Sequence, residues 1–313
     1  MRVKKDIAIG ADIGGSHIST AAIDINERII LKNSFAEADV DNKGTSDAII
    51  TSWLSSLEET IDSVKTDHLA GIGFAMPGPF QYDKGIAMFE KVEKYESLYG
   101  VDVSTAIRNS LNLEDDIPVR FMNDATAFAV GEAWMGKSAG FSRSLAITLG
   151  TGFGSAFINE GIPVVKGSTV PEHGCVWHLP FKKGISDDYI STRWFIKSYK
   201  EQTGKTVSGV RDLAERASED PFVCGLFKTY GTNLGTILSP WLSKFGVEAV
   251  VIGGNISAAY SLYGTAFEET MKKYGLNICV ELSELMERAA IIGSARLAEP
   301  AFWDKVRNLL KYM

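Results

Sequence analysis

Short apolar runs broken by turn residues open the chain. Asp6–Ile13, Ile18–Ile25 and Arg28–Phe35 read as strands, with Asn26-Glu27 as a tight connection between the last two. Between Gly44 and Val64 the period changes. Ile49, Ile50, Trp53, Leu54, Leu57 and Ile61 recur at helical spacing. Leu69–Ala75 predicts a short buried strand that runs into a firm break at Met76-Pro77-Gly78-Pro79. Val103–Leu111 predicts a helix and Pro118–Met122 another strand. A second set begins at Asn123, with a helix capped by Asp124 and running through Trp134. Strands are expected at Ser144–Thr148, Gly154–Asn159 and Ile162–Val165, then helices at Tyr189–Tyr199, Val210–Ala217 and Phe222–Leu242. The last helix is expected to end near Pro240. Ala249–Ile252 reads as a strand, and Leu285–Leu297 and Trp303–Leu310 as helices. Helix and strand alternate in both halves, which is an α/β pattern with a boundary near residues 115–122.

Composition narrows this further. A chain of 313 residues suggests two domains and is long enough to bury a large core without disulfides or structural metal. With 32 Lys and Arg against 39 Asp and Glu, the net charge of −7 argues against a nucleic-acid partner. Cys175, Cys224 and Cys279 are odd in number and far apart, which favours a reducing compartment over a disulfide framework. No apolar run reaches the roughly 18 residues of a membrane helix. The basic N-terminus resembles a signal peptide only briefly, because Asp6 and Asp12 interrupt the apolar stretch. A retained first strand in a cytoplasmic protein is the expectation.

Three glycine-rich turns carry candidate phosphate chemistry. Asp12-Ile13-Gly14-Gly15-Ser16 lies between two strand-like runs. Paired glycines let backbone N–H groups approach a polyphosphate, Ser16 adds a hydroxyl, and Asp12 can hold a metal-bound water. Alone, such a turn is more often a plain hairpin. Leu149-Gly150-Thr151-Gly152-Phe153-Gly154 is the same device in the second half, and it misses the dinucleotide spacing. Two such turns suggest one nucleotide held across an interdomain cleft. Gly253-Gly254-Asn255 is a strand-to-helix turn on which a nucleoside could lie, with an ordinary βα turn as the equal alternative. Gly131–Ser138 satisfies G-x-x-x-x-G-K-[ST] to the letter, but a helix precedes it and a strand follows. That order is the reverse of a P-loop, so Gly136 is read as a helix stop.

Asn123-Asp124 sits where a strand hands over to a helix. Asp124 could accept the proton of an attacking hydroxyl while Asn123 binds the same substrate, although taken alone a plain N-cap is the stronger explanation of an Asp there. Glu172-His173-Gly174-Cys175 with His178 forms a second polar knot. His173, Cys175 and His178 suit a metal by element type, yet no second cysteine pair completes a zinc site, so Glu172 as a hydroxyl-binding carboxylate is the simpler reading.

In order and spacing these motifs resemble the ROK family (repressors, open reading frames and kinases), across nearly the whole chain. Asp12–Ser16 resembles its D-x-G-G-[ST] phosphate motif, Pro77-Gly78-Pro79 its P-G-P turn and Asn123-Asp124-Ala125 its N-D-A catalytic motif. Leu149–Gly154 matches L-G-T-G-x-G, Gly253–Ser257 resembles G-G-x-x-S, and Ala290–Ala295 resembles the closing A-x-x-G-A-A helix. The resemblance implies a two-domain actin-like ATPase (ribonuclease H-like) fold with an interdomain active-site cleft. Residues 1–118 and a returning helix at 301–313 would form one α/β domain, and 119–300 the other. It also implies ATP-dependent phosphorylation of a hexose, with Mg²⁺ accompanying the nucleotide. Asp124 would be the general base. Pro77, Gly78, Asn123, Glu172, Cys175 and Asp187 would face the sugar. Asp12, Gly14, Gly15, Ser16, Thr151, Gly152, Gly253, Gly254 and Asn255 would face the nucleotide.

Two departures stand out. Cys175 occupies the position of the family's zinc- and sugar-binding histidine, and Asp187 that of a sugar-binding glutamate. The family's zinc cysteines are absent, so no structural zinc is expected, and His178 is a candidate stand-in for the missing imidazole. Glucose or an N-acetylated hexosamine is the expected substrate, and homodimers common in the family leave that assembly open. A rival reading is a non-catalytic sugar sensor without a DNA-binding domain. A third keeps the nucleotide and changes the acceptor to a non-sugar hydroxyl compound.

Overall fold

The computed structural model describes residues 6–64 and 69–313, so the basic positions 2, 4 and 5 that shaped the signal-peptide reading lie outside the described residues. The chain forms two compact units. The first runs up to Ala139, takes in Gly161–Pro163 and resumes at Glu287, whereas the second holds Gly140–Glu160 and Val164–Met286.

The first unit opens on β1 (Ile7–Ile13), buried at every position but Asp12. So uniform a strand belongs at the centre of a covered sheet. β2 (His17–Asp24) returns antiparallel to it. In place of one strand over Arg28–Phe35, β3 (Ile29–Ile30) and β4 (Ala36–Asp39) each pair with β2. Between them the Ser34 hydroxyl donates to Leu31 O and takes the Ala22 N–H, and this local bonding breaks the run. α1 (Ser46–Val64) buries Ile49, Ile50, Trp53 and Leu57 as its period predicts. A hydroxyl cluster joins it to β2, with Thr20 Oγ1 2.8 Å from Ser56 Oγ and 2.6 Å from Thr60 Oγ1.

β5 (Leu69–Met76) pairs parallel with β1 and leads through the Pro77–Pro79 turn into the small hairpin of β6 (Phe80–Gln81) and β7 (Ile86–Ala87). α2 (Val103–Ser110) is capped by Asp102, which accepts from the Thr105 N–H. β8 (Val119–Asn123) pairs parallel with β5 and passes directly into α3 (Asp124–Met135). The resulting strand order is β3-β2-β1-β5-β8, with β4 beside β2. α3 stops before Gly136, and Glu132 accepts the Lys137 N–H at 2.8 Å. The Walker-like string therefore wraps a helix C-terminus, as its order of elements implies.

In the second unit β9 (Arg143–Leu149) and β10 (Phe153–Asn159) form an antiparallel pair. β11 (Ile162–Pro163) belongs to the first unit. A hairpin of β12 (Pro180–Phe181) and β13 (Gly184–Ile185) precedes α4 (Thr192–Thr203), α5 (Val210–Arg216) and α6 (Pro221–Phe245). β14 (Ala249–Gly253) lies parallel to β9, α7 (Tyr260–Lys273) follows, and β15 (Cys279–Leu282) pairs parallel with β14. Within this unit the strands run β10-β9-β14-β15. Aromatic rings fill the core between α4, α6 and α7, with Phe195 4.8 Å from Phe227 and Tyr230 5.2 Å from Tyr263 between centroids. α6 does not end near Pro240. Leu238, Leu242 and Phe245 are buried on both sides of the proline, and their packing outweighs the lost hydrogen bond.

The chain returns to the first unit with α8 (Arg288–Ala295) and α9 (Pro300–Val306). Ala289 to Ala295 are all buried, and backbones there touch directly. A Cβ on Gly73 would lie 1.8 Å from Ser294 O, and one on Gly293 1.8 Å from Ala127 O. The units therefore divide elsewhere than at 118/119 and 300/301. β8 is hydrogen-bonded into the first sheet, α3 packs on α8, and the return begins at Glu287. Among the described residues no helix is long and apolar enough to cross a membrane.

Candidate active site

β1 carries Asp12 next to its C-terminal end, and the β1–β2 turn presents Gly14, Gly15 and Ser16. The Gly14 N–H closes the turn on His17 O at 2.9 Å. Gly15 and Ser16 are exposed, and a Cβ on Gly15 would meet nothing within 4 Å. This bare backbone is held from outside. The Tyr95 hydroxyl donates to Gly14 O at 2.7 Å, and the Asn42 amide donates to Gly15 O. Tyr95 is buried against Trp53 and Phe89.

Asn123 and Asp124 divide the work at the β8–α3 junction. The N-cap is Asn123, whose Oδ1 accepts the Thr126 N–H at 3.2 Å. Asp124 is instead the first helical residue, so capping does not account for its carboxylate. Asp124 Oδ1 takes the Ala125 N–H at 2.8 Å and the Asn123 amide at 2.9 Å. Burial raises its pKa above the usual carboxylate value, against the lowering effects of the Ala125 N–H, the Lys94 ammonium and Asn123. Asp12 is pushed up to about 8, first by burial and then by the charges of Asp124 and Glu287. Two mutually repelling carboxyls beside an open glycine turn suit a divalent cation carried by a polyphosphate, since Mg²⁺ commonly binds through one or two carboxylates plus phosphates.

The proline turn joins the same neighbourhood. The Tyr82 hydroxyl lies 3.4 Å from the Cβ position of Gly78, donates to Met76 O and accepts from the Asn123 amide at 3.4 Å. The structure thus brings Pro77-Gly78, Asn123, Asp124, Asp12 and the Gly14–Ser16 turn together in one unit. Tyr82, Lys94, Tyr95 and Asn42 are its unread members. None falls in a motif, and only their contacts reveal them.

The second unit gathers the other candidates. Thr151 and Gly152 are exposed in the β9–β10 turn, where the Gly150 N–H donates to Gly152 O at 3.1 Å. Gly254 has φ 80°, and a Cβ there would lie 2.5 Å from Leu149 O. Only glycine allows that approach, which sets Gly253-Gly254-Asn255 against the end of β9. Asp187 stands beside the β9–β10 turn. Its Oδ1 accepts the Phe153 N–H at 2.7 Å at the end of the phosphate-type turn, and its Oδ2 pairs with Arg193 of α4.

Glu172 is exposed, with His173 Nε2 3.7 Å from its Oε1. Cys175 Sγ lies 3.7 Å from His178 Nδ1, so the imidazole flagged in the sequence does stand beside the thiol. Burial pushes the Cys175 thiol up to about 11 and lowers the His178 pKa. Both are therefore neutral at physiological pH, a thiol and an imidazole that can exchange hydrogen bonds with a hydroxyl. Among the described residues no group of three or more His, Cys, Asp or Glu is placed to hold a metal.

Such a pair of units, each a sheet flanked by helices and carrying its own glycine hairpin, is the actin-like ATPase fold. The ROK hexokinase of Thermus thermophilus superimposes with a TM-score of 0.78 at 20% identity, over 95% of this chain and 99% of that one. The ROK family model matches residues 8–301, and the chain belongs to the ROK family. It is 25% identical to the N-acetyl-D-glucosamine kinase of Haemophilus influenzae (strain 86-028NP), over 81% of this chain and 86% of that protein. It is also 25% identical to the glucokinase of Thermotoga maritima (strain ATCC 43589 / DSM 3109 / JCM 10099 / NBRC 100826 / MSB8), over 92% and 96%.

Proposed function

We propose that this protein transfers the terminal phosphoryl group of ATP to a hydroxyl of a hexose, with Asp124 as the general base. The observation that carries this reading is the division of labour at β8–α3. Asn123 fills the N-cap, while Asp124 is held by two hydrogen bonds on one oxygen and keeps a raised pKa. A carboxylate with raised basicity is the better proton acceptor for a hydroxyl that becomes nucleophilic. Asn123, with Gly78 of the proline turn, binds and orients the acceptor. The N–H groups of Gly15, Thr151 and Gly152, with the Ser16 hydroxyl, hold the phosphates, Gly14 shapes the turn by donating to His17 O, and the nucleoside lies along Gly253-Gly254-Asn255. Asp12 fits Mg²⁺, which neutralises charge on the transferring phosphoryl group when bound. The protein supplies mainly position and charge.

The acceptor class rests on Glu172, Cys175 and His178 as hydroxyl partners, and on relatives named for glucose and N-acetylglucosamine. A homodimer is part of this reading, with no role for nucleic acid. The sensor reading draws on Asp187, whose oxygens already accept from the Phe153 N–H and pair with Arg193.

One assay separates the two. ADP release is followed with ATP and Mg²⁺ across glucose, N-acetylglucosamine, N-acetylmannosamine, galactose and fructose, beside Asp124→Asn. Turnover with one sugar, cut about a thousandfold in the variant, is the expected outcome. Sugar binding by calorimetry with no ADP release would instead make the chain a sensor, and full activity in Asp124→Asn would remove the assigned base.

A further inference from the structure

Sharing only Tyr82 with these residues, the first unit contains a cavity of about 260 Å³ lined by Tyr82, Lys84, Ser104, Arg108, Arg120 and Trp303 among others. Three of its walls are cationic against a single lining carboxylate, Asp83. The two guanidinium groups are not free to swing out, whereas Lys84 stands at the exposed rim. The Arg120 guanidinium lies 3.9 Å from the Trp303 ring centroid and donates to Leu297 O. Arg108 donates through both terminal nitrogens, to Ile117 O and Glu114 O. Each guanidinium has five N–H donors, so these carbonyls leave donors over on both. Arg120 also lacks full compensation. Burial lowers its pKa to about 10, and only the Asp304 charge works against that shift. Asp115 stands 3.8 Å from Arg108 and is exposed.

We infer that this cavity is a binding site for a small phosphomonoester, its phosphate held by Lys84, Arg108 and Arg120. Fixed guanidinium groups match the oxygens of a phosphate in paired hydrogen bonds, and Lys84 adds a point charge at the rim. The volume exceeds what a bare phosphate fills, and the Tyr82 and Trp303 rings with the Ser104 hydroxyl suit an organic part that carries hydroxyls. Tyr82 also reaches Asn123, so an occupant here touches a wall that the catalytic junction shares.

The test is calorimetric titration of the full chain with glycerol 3-phosphate and, separately, inorganic phosphate, in buffer free of other multivalent anions. Wild type, Lys84→Glu, Lys84→Arg and Asp12→Asn are compared, each checked by thermal melting. Lys84 is exposed, so both of its variants should keep the fold. Binding of the ester that weakens about tenfold or more in Lys84→Glu, survives in Lys84→Arg and is indifferent to Asp12→Asn is expected. Binding lost in Asp12→Asn but unchanged in Lys84→Glu would move the anion to the glycine turn and overturn the site. No heat with either ligand would overturn it too. Equal affinity for inorganic phosphate and the ester would overturn the assignment of an organic ligand.

Discussion

Asp12 and Asp124 are held by the fold in a state that their isolated side chains would not choose. Both pKa values are raised, Asp12 to about 8, so the folded protein keeps protons that the unfolded chain releases near pH 4. The folded state binds more protons between those two values, so stability falls as pH rises from about 4 to 8. Melting temperatures measured without nucleotide should decline across that window, and Asp12→Asn should flatten the decline. A slope unchanged in the variant would mean that Asp12 ionises freely. If Asp124 is the general base, activity should follow the opposite trend, because a base must be ionised to accept a proton. Asn123-Asp124 was readable at this scale as an N-D-A string after a strand, but the sequence placed the cap at Asp124. The Thr126 N–H moves it to Asn123, and no spacing rule could have done so.

Among the elements, α8 shows most directly how packing turns a motif into structure. Gly293 brings the α8 backbone against Ala127 of α3, and Gly73 brings β5 against Ser294. A methyl group at either place collides with a carbonyl oxygen belonging to a rigid element. Gly293→Ala should therefore cost about 3 kcal/mol or more, visible as a lower denaturant midpoint with the slope preserved. Asp187 makes a second case. If it braces the β9–β10 turn, Asp187→Asn should raise the KM for ATP several-fold and leave sugar affinity unchanged. The reverse result would return it to the sugar. Amphipathic α1 and the central strands were plain in the sequence because their buried positions are mostly apolar, even though Ser56 and Thr60 of α1 are buried against Thr20. α7 was not predicted, since its buried face includes Gly264 and Thr270 and breaks the apolar period, and β15 is four residues long and nowhere fully buried. α6 outran its proline because residues on both sides of Pro240 have a core to enter, which is information the local sequence lacks.

On the scale of the molecule, the α/β class and the actin-like fold followed from alternating elements and from six motifs in order. The limits of the units did not. Helical and strand periods mark where an element lies and are silent about which sheet it joins, so β8 and α3 fell on the wrong side of a boundary placed at 118/119. Their true neighbours are β5 and α8, the latter more than 150 residues further along the chain. A chain ending before Glu287 should leave the first unit without α8. Hydrogen exchange in β1 and β5 of that fragment should lose its protection, while β9 and β14 keep theirs. Protected β1 amides would show that the sheet stands without the helix.

The late arrival of α8 has a consequence for the chain as it is made. Residues around Gly10 and Gly73 leave the ribosome early, yet the backbone that covers them is among the last to be synthesised. At about 5–20 residues per second, the gap between Ala139 and Glu287 lasts roughly seven to thirty seconds. During that wait one face of the first sheet is bare and apolar while the second unit has time to form. The nascent chain therefore matures from its middle outward, and the interval before α8 docks is when a chaperone has most to protect.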